Sequence, residues 1–484
     1  MKRTLGLGVA RIHAYSRAPN LLEPWRTEKT EVCTGTGFFV EPPAGTTIPA
    51  MQEEPGTRLV YLLTCAHVVE CAHHVAVVLP QDGRGELRAR VLRFVPSHAF
   101  DLALLCALVP RTSEVRVLPL GDSDALHSSG SDDAVTAVGF SLGLESINFT
   151  RGKFSTFQNG SLQHTACISG GNSGGPLVDA AGRVVGVNVA GIFGSTANNI
   201  NFAVPIELYK RVRARLFEPS APVVLRLPSF GLCFHPCDAG ARVWRVLPGS
   251  AAAQAQLRAG DVIVAVQESG GGAVMPVLPT TEVRVPWHVQ PVALSVLLRR
   301  CCLEQPVTLH VLRGGGGGEA PVPVSVVPAV NPAPGCTTLL LAHEPLEYVG
   351  FGGLVFTLAH ANHYEAAELK EKLARFPDRA TPRILLTYVE KQDARMAEVL
   401  DVGDVITSIN GVPVQSLAHV RAALMQPRGG GASRTLCVAT ESGKEFVTPL
   451  ASAVARASGD ISAAPPYVVD PAVLASLKAL LASA

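Results

Sequence analysis

Charge is scarce in this chain of 484 residues. Asp, Glu, Lys and Arg make up only 17%, and 41 basic against 40 acidic residues leave a formal net charge of +1. No basic stripe interleaved with aromatics is present, and aromatics are only 6% of the chain, which argues against nucleic acid as the main partner. Long hydrophobic runs are also missing. The best candidate, "PVALSVLLRRCCL", is interrupted by Arg299 and Arg300, so nothing reaches the roughly 18 residues that span a bilayer. There is no G-x-x-x-x-G-K-[ST] loop to cradle a nucleotide. The eleven cysteines are an odd number and thinly spread. Cys233 and Cys237 approach a metal-ligand spacing without a second pair, and Cys65 and Cys71 flank a histidine as small apolar residues do. The expectation is therefore no metal, no cofactor and mostly free thiols in a reducing compartment. "MKRTLGLGVARIHAYSRAPN" is basic and free of acids, as a mitochondrial presequence would be, but "GVARIHAYS" reads equally as an alternating strand. A cytoplasmic or nuclear location is expected, with the mitochondrion as runner-up.

What is abundant is apolar material: 47% hydrophobic residues, enough for several cores, in a length that suits roughly three domains of about 150 residues. From about 30 to 200 the chain is a succession of short β-branched segments such as "TGTGFFV", "VYLLTCAHV", "DLALLCAL" and "RVVGVNVAGI", separated by Gly, Pro and Asp. That pattern predicts an all-β barrel or sandwich. Helical periodicity first appears in "PIELYKRVRARL", with Ile206, Tyr209, Val212 and Leu216 on one face and Pro205 suited to a first turn. Two later blocks repeat one pattern, Gly260-Asp261-Val262-Ile263 and Gly403-Asp404-Val405-Ile406, each opening an alternating strand. The five glycines 314–318 lie between alternating strands and predict a hairpin turn; the proline-rich 327–336 is the better linker. "DPAVLASLKALLASA" predicts a helix capped by Asp470, docking on its own domain through Val473, Leu474, Leu477, Leu480 and Leu481.

The stretch "GGNSGG" carries the chemistry. Gly171-Asn172-Ser173-Gly174-Gly175 satisfies both the G-x-S-x-G elbow of α/β-hydrolases and the G-x-S-G-G loop of chymotrypsin-like proteases. A nucleophilic serine needs a base and a carboxylate that orients the base. The strongest histidine context, "LLTCAHVVE" with His67, and the strongest acid context, "HAFDLALL" with Asp101, both precede the serine. An α/β-hydrolase runs Ser, Asp, His; the order His67, Asp101, Ser173 is that of chymotrypsin. Ser173 is also followed by "GGPLVDAAGRVVGVNV", which is hairpin chemistry, whereas an elbow leads into a helix.

Taken together, "TGTGFFV", "TCAHVVE", "DLALL", "LGDSD", "VTAVGF", "GGNSGGPLVD" and "NFAVPIELY" resemble the trypsin-like domain of the HtrA/Deg protease family. "VWRVLPGSAAAQAQLRAGDVIVAV" resembles the core of a PDZ domain, and "APNLLEPW", "VPW" and "GGLVFTL" are similar to the plant-type Deg branch with two divergent PDZ domains. The resemblance implies a mainly β chain: a chymotrypsin-like double β-barrel protease domain over 1–218, then two PDZ-like α+β domains. The first would cover 222–328 with an insertion at 268–290, the second 337–453, and 454–484 would be a tail with a short helix.

The resemblance also implies roles. Ser173 would be the nucleophile, His67 the general base and Asp101 its orienting carboxylate, with the backbone N–H groups of Gly171 and Ser173 forming the oxyanion hole. Ile168 and the segment Asn188-Val189-Ala190 would line the S1 pocket; with no carboxylate there, a small or medium aliphatic P1 residue such as Val, Ala or Ile is expected. Phe230-Gly231-Leu232 would be the loop of the first PDZ domain that receives a C-terminal carboxylate, and Gly353-Leu354-Val355 a weaker counterpart in the second. Gly170 replaces the basic residue common before G-N-S, which raises the question of whether the oxyanion loop is loosened, and "TTIPAMQEEPGT", 46–57, lengthens a loop before His67. The function expected is ATP-independent serine endopeptidase action on unfolded or damaged proteins by a homotrimer or hexamer. The alternative is a PDZ scaffold or holdase chaperone with a largely silent protease domain.

Overall fold

Alternation of apolar and polar residues sets up the first barrel of the computed structural model, which describes residues 1–26, 28–46, 51–81, 83, 85–127, 134–191, 200–268, 272–301, 305–315, 320–330, 346–376, 381–391, 393–430, 433–459 and 465–483. Strands β1 (Val9–Ser16), β2 (Glu31–Val40), β3 (Thr57–Thr64), β4 (Ala72–Val78), β5 (Leu87–Val95) and β6 (Leu102–Pro110) close in the order β1-β2-β3-β6-β5-β4. β6 is buried along almost its whole length, and its continuous apolar run "LALLCALV" is the signature of a strand covered on both faces.

A second closed barrel follows: β7 (Ala134–Gly139), β8 (Asn148–Gln158), β9 (Ser161–His164), β10 (Pro176–Val178), β11 (Val184–Gly191) and β12 (Asn201–Pro205), in the order β10-β11-β12-β9-β8-β7. The short strand-turn-strand after Ser173 is the β10–β11 hairpin, with Leu177 opposite Gly186. Helix Ile206–Leu216 then packs Ile206, Tyr209, Val212 and Leu216 inward, with Pro205 as its N-cap. The chain is thus mainly β, with the double barrel of the chymotrypsin fold.

The first compact unit, Met1–Ser16 with Thr30–Pro332, contains both barrels and a third sheet. That sheet is built from β13 (Leu232–Cys237), β14 (Gly240–Val246), β15 (Val262–Glu268) and β16 (Val274–Pro276), beside a short ribbon of β17 (Glu282–Val283) and β18 (Val292–Ala293), and is completed by β19 (Val307–Leu312) and β20 (Val322–Val326). β19 and β20 pair antiparallel from Val307↔Val326 to Val311↔Val322, a hairpin whose connecting glycines 316–318 lie outside the described residues. Helix Leu294–Arg300 fixes this sheet to the second barrel. Its buried Arg300 pairs with Asp124 and lies 4.1 Å above the Trp287 ring, which meets Phe157 edge-on at 5.2 Å.

The second unit comprises Arg17–Lys29 and Ala333–Ala484. Its sheet holds β21 (Tyr348–Phe351), β22 (Leu354–Leu358), β23 (Ile384–Val389), β24 (Val405–Ile409), β25 (Val412–Pro413), β26 (Thr435–Thr440) and β27 (Glu445–Pro449). Residues 17–29, between β1 and β2 in sequence, are part of it: Trp25 packs against Tyr348, Tyr388 and Tyr467 with ring centroids 5.4–5.8 Å apart. Helix Pro471–Ala482 docks here through Val473 and Leu477, capped by Asp470, which accepts from the N–H groups of Ala472 and Val473. The linker stretch 327–336 lies outside the described residues from 331 onward.

The repeated Gly-Asp-Val-Ile has one physical role in both units. Gly260 and Gly403 each hold a φ of +94° and +92°, which an L side chain reaches only at a cost. The N–H of Gly260 donates to Val243 and the Asp261 carbonyl accepts from Val243, while Gly403 and Asp404 exchange the same two bonds with Leu386. The Asp261 carboxylate accepts from the Arg258 N–H at 2.9 Å and pairs with Arg313 at 2.7 Å; Asp404 accepts from Asp401 N–H at 2.9 Å and pairs with Lys444 at 3.0 Å. Asp261 is buried and Asp404 nearly so. Removing one partner strands the other, so Asp261→Ala is expected to lower stability by about 2–4 kcal/mol. Urea denaturation followed by fluorescence checks this; a loss under about 0.5 kcal/mol would contradict it.

Candidate active site

The turn Pro96–Asp101 presents the carboxylate. Ala99 and Asp101 both donate their N–H to the Pro96 carbonyl, and Asp101 itself holds a φ of +54° at the head of β6. Left-handed backbone at a non-glycine residue is strained and concentrates at functional sites. Held so, Asp101 engages His67 twice, accepting its backbone N–H at 2.9 Å and meeting its Nδ1 at 2.7 Å. His67 stands on the single helical turn Ala66–Val69, whose Ala66, Val68 and Val69 are buried and leave the imidazole as the exposed member. Burial alone would depress the His67 pKa; the hydrogen bond and charge of Asp101, with Glu70, outweigh it and leave it raised.

The serine loop is pinned by groups spread through the sequence. Thr36 donates its hydroxyl to the Gly171 carbonyl at 2.6 Å, accepts the Phe140 N–H at 3.1 Å, and donates its own N–H to the Ser173 carbonyl at 2.8 Å. Asn172 reaches Ser141 at 2.9 Å, and the Leu142 N–H donates to the Gly170 carbonyl at 2.5 Å. That last bond fixes the 170–171 peptide, and a trans peptide sends its N–H opposite to its C=O. Neither the Gly171 nor the Ser173 N–H has an acceptor among the described residues. The Ser173 hydroxyl donates to the Val189 carbonyl at 2.7 Å, and no hydrogen bond joins it to His67.

Gly171 requires glycine. Its φ is +91°, and a Cβ there would lie 2.2 Å from the Phe140 carbonyl oxygen. A Cβ at Gly170 would meet nothing within 4 Å, so the loop geometry does not depend on that glycine. Gly171→Ala must therefore displace the loop backbone and its N–H; if that N–H serves the oxyanion, kcat falls by about 10²–10³-fold. Gly170→Ala should stay within about threefold of wild type. Kinetics of the two variants on one peptide substrate provide the check.

The predicted substrate-side residues divide. Ile168 is buried in the second-barrel core, and the carbonyls of Asn188 and Val189 face the reactive loop, accepting from Gly174 N–H and Ser173 Oγ. Ala190 lies in β11, but its side chain is outside the described residues. Cys65, which the sequence offered only as an apolar filler, is buried beside the pair; its thiol donates to the Asn188 carbonyl at 3.2 Å, and burial followed by the Asp101 charge pushes its pKa well up. Among the described residues Cys65, His67 and Asp101 are the one group whose ligand atoms lie close enough to hold a metal ion. All three are engaged in hydrogen bonds with one another or the backbone. A cavity of about 140 Å³ behind Asp101 is lined by Phe100, Phe157, Val189, Val296 and Arg299, a neighbourhood no local motif announces.

In the third sheet, Phe230 is buried, Gly231 has a φ of +71°, and Leu232 opens β13, the outer strand of its sheet. The weaker counterpart differs. Gly352 and Gly353 form the tight turn of the β21–β22 hairpin, Gly353 N–H donates to the Tyr467 hydroxyl at 2.8 Å, and β22 is flanked by β21 and β23. Gly353-Leu354-Val355 is therefore a hairpin strand with its donor and its edge already taken, not an open carboxylate loop.

Comparison with known proteins joins these observations. A model of the trypsin-like peptidase domain matches residues 35–187, and a PDZ domain model matches 394–436. The chain is 30% identical over 335 residues to a probable periplasmic serine endoprotease DegP-like of Chlamydia trachomatis, covering 64% of this chain and 57% of that one. The chain is similar to HtrA/DegP-type serine proteases, with a trypsin-like domain and a PDZ domain. Other relatives are the putative serine protease HhoA of Synechocystis sp., 34% identical over 238 residues (42% of this chain, 57% of that one), and the periplasmic serine endoprotease DegP of Salmonella typhimurium, 31% identical over 226 residues (43% and 45%). The chain spans less than two thirds of the length of each of these relatives.

Proposed function

We propose that the protein is a serine endopeptidase that cleaves unfolded or damaged polypeptides without ATP. The observation that carries this is the Asp101–His67 pair at 2.7 Å beside a serine loop with two unengaged N–H groups. In this reading Ser173 Oγ attacks the scissile carbonyl carbon and its proton passes to His67 Nε2. The carbonyl oxygen, now an anion, takes the N–H groups of Gly171 and Ser173. His67 then protonates the departing amine, the C–N bond breaks, and water, deprotonated by His67, releases the acyl group from Ser173. Asp101 fixes the tautomer that leaves Nε2 unprotonated and stabilises the imidazolium. The relatives' names, serine protease and serine endoprotease, support the same chemistry. The loop Phe230-Gly231-Leu232 at the outer strand would take a substrate C-terminus by strand addition, and assembly as a homotrimer, or a hexamer of two trimers, belongs to the same reading.

A second reading is favoured by one observation, the Ser173 hydroxyl held by the Val189 carbonyl: a resting protein whose main work is to bind unfolded chains. Incubating wild type and Ser173→Ala with unfolded casein, and following cleavage and aggregation together, separates the two. No cleavage by wild type in any oligomeric state would sink the peptidase reading.

A further inference from the structure

Three buried polar side chains near the reactive serine leave hydrogen-bonding atoms unused. Among the described residues, neither ring nitrogen of His164, the Nδ2 of Asn201, nor the Oδ1 of Asn188 meets a partner at bonding geometry. All three residues are almost wholly buried, at 0%, 4% and 0% exposure. Buried polar atoms are normally satisfied, and each one left without a partner costs roughly 1–3 kcal/mol. Three such residues scattered through a core would be unrelated defects. Here they are neighbours. Asn201 is the strand partner of His164 across β9 and β12, and of Gly191 across β11 and β12. Directly opposed residues on one face hold their Cβ atoms about 4.5–5.5 Å apart. His164 follows Leu162 and precedes Ala166 on the inward face, and Asn201 precedes Ala203 on the same face; Leu162, Ala166 and Ala203 all belong to the barrel core. Asn188 is opposite Ala203, one diagonal step from Asn201.

Their place in the barrel gives them a use. The loop from Ile168 to Ser173 and the strand from Asn188 to Gly191 flank the nucleophile, tied together by Ser173 Oγ to Val189 O and by Gly174 N–H to Asn188 O. The side chain of the residue whose carbonyl meets Ser173 enters between these two walls. Beside β11 in the barrel runs β12, and its first residue is Asn201, paired with His164.

We propose that His164, Asn201 and the amide oxygen of Asn188 form a polar floor of the P1 pocket, so that the enzyme selects an uncharged P1 side chain that both donates and accepts hydrogen bonds, glutamine or asparagine, over an aliphatic one of the same size. The inference rests on the peptidase reading above. It also changes what the linear sequence suggested: Ile168 gives the pocket an apolar wall, which suits the methylenes of glutamine, but the floor does not suit valine. The donor and acceptor count matches an amide. Asn201 Nδ2 offers N–H groups to the P1 carbonyl oxygen, and Asn188 Oδ1 accepts from the P1 amide nitrogen. A neutral imidazole supplies one donor and one acceptor. Burial, only partly offset by the Ala166 backbone, lowers the His164 pKa to about 4, so the ring is neutral near pH 7 and offers no positive charge to a glutamate. A buried carboxylate without a counter-charge is strongly disfavoured.

The test uses the full chain and peptides identical except for P1 Gln, Asn, Glu, Leu or Val, with wild type, His164→Leu and Asn201→Leu. A site built to hydrogen-bond a substrate discriminates strongly against the analogue that lacks the groups. Wild type is expected to favour Gln or Asn over Leu by about 10–100-fold in kcat/KM, and each variant to erase or invert that ratio. Labelling of Ser173 by a fluorophosphonate probe is measured alongside in all three proteins. Labelled wild type that prefers Leu or Val, or labelled variants whose Gln-to-Leu ratio is unchanged, overturns the polar floor alone. Wild type that neither labels nor cleaves overturns the peptidase reading and the floor with it.

Discussion

Ser173→Ala should reduce peptide cleavage by about 10⁴–10⁶-fold while leaving the fold intact. The substitution removes one atom, Oγ, whose hydrogen bond in the resting protein is to the Val189 carbonyl at 2.7 Å. The carbonyl that loses this donor belongs to Val189, which is only half-buried, so little stability is at stake. The loop keeps its other anchors: Thr36 to both Gly171 and Ser173 carbonyls, Gly174 to Asn188, Gly175 to Asn172. The Gly171 and Ser173 N–H groups therefore stay in place, and in the proposed mechanism they sustain a residual rate above the uncatalysed reaction. Two readouts accompany the kinetics. Fluorophosphonate labelling should vanish, and the melting temperature should move by less than a few degrees. Suppression of casein aggregation that survives in the variant would show that holding unfolded chains is separate from cutting them. A variant retaining more than about a hundredth of wild-type cleavage would exclude Ser173 as the nucleophile.

The parts of this site that the sequence made legible are those carried by order and local composition. His67, Asp101 and Ser173 each sit in a short context whose chemistry is local: a histidine ending an apolar strand, an aspartate heading one, a serine among glycines. The repeat Gly260-Asp261 and Gly403-Asp404 was legible because a left-handed glycine followed by an aspartate that caps the preceding turn is itself a local device. What was not legible is tertiary. Thr36 lies in "TGTGFFV" as one more β-branched residue, yet it binds a loop more than a hundred positions away. The φ of +54° at Asp101 has no sequence signal, because the strain is imposed by the Pro96 turn and held by the His67 N–H. His164 and Asn201 read as single polar residues in weakly patterned strands, and only strand register makes them neighbours. The grouping of residues 17–29 with the second unit depends on Trp25 finding Tyr348, Tyr388 and Tyr467, three rings far apart in sequence. "GFGGLVF" misleads for a related reason. A glycine pair before an apolar strand fits either an open carboxylate loop or a tight hairpin, and the residue that decides, Tyr467, comes more than a hundred positions later.

Asp101→Asn should lower kcat by about 10⁴-fold without unfolding the protein, and should move the acid limb of the pH profile to lower pH. Asparagine suits the experiment because, like aspartate, it tolerates the left-handed backbone that position 101 requires, whereas alanine would add strain. The amide can still accept the His67 backbone N–H through its oxygen. Its NH₂ then points at Nδ1, the atom that the carboxylate meets at 2.7 Å. An NH₂ can only donate, so Nδ1 must accept, and the proton of neutral His67 moves to Nε2. That tautomer cannot take the proton of Ser173, which is the origin of the large loss. The sign of the pH effect follows from the same geometry. In the wild type, burial lowers the His67 pKa, but the Asp101 hydrogen bond and charge and the Glu70 charge outweigh it, so the net value is raised. The base must be neutral to act, so wild-type kcat/KM should fall as pH drops through a value above the ordinary histidine range of about 6.5. Without the carboxylate, the lowering by burial is opposed only by Glu70, and the limb should shift to more acidic pH. The same raised pKa contributes to folding stability below the unfolded value of about 6.5, and that contribution is lost as pH rises through the folded one. Stability of wild type relative to Asp101→Asn should therefore be greater at pH 5.5 than at pH 8.5. Full pH–rate profiles and thermal melts of the two proteins test both statements. A limb that does not move, or a loss of less than about tenfold in kcat, would remove Asp101 from its role as the group that orients His67.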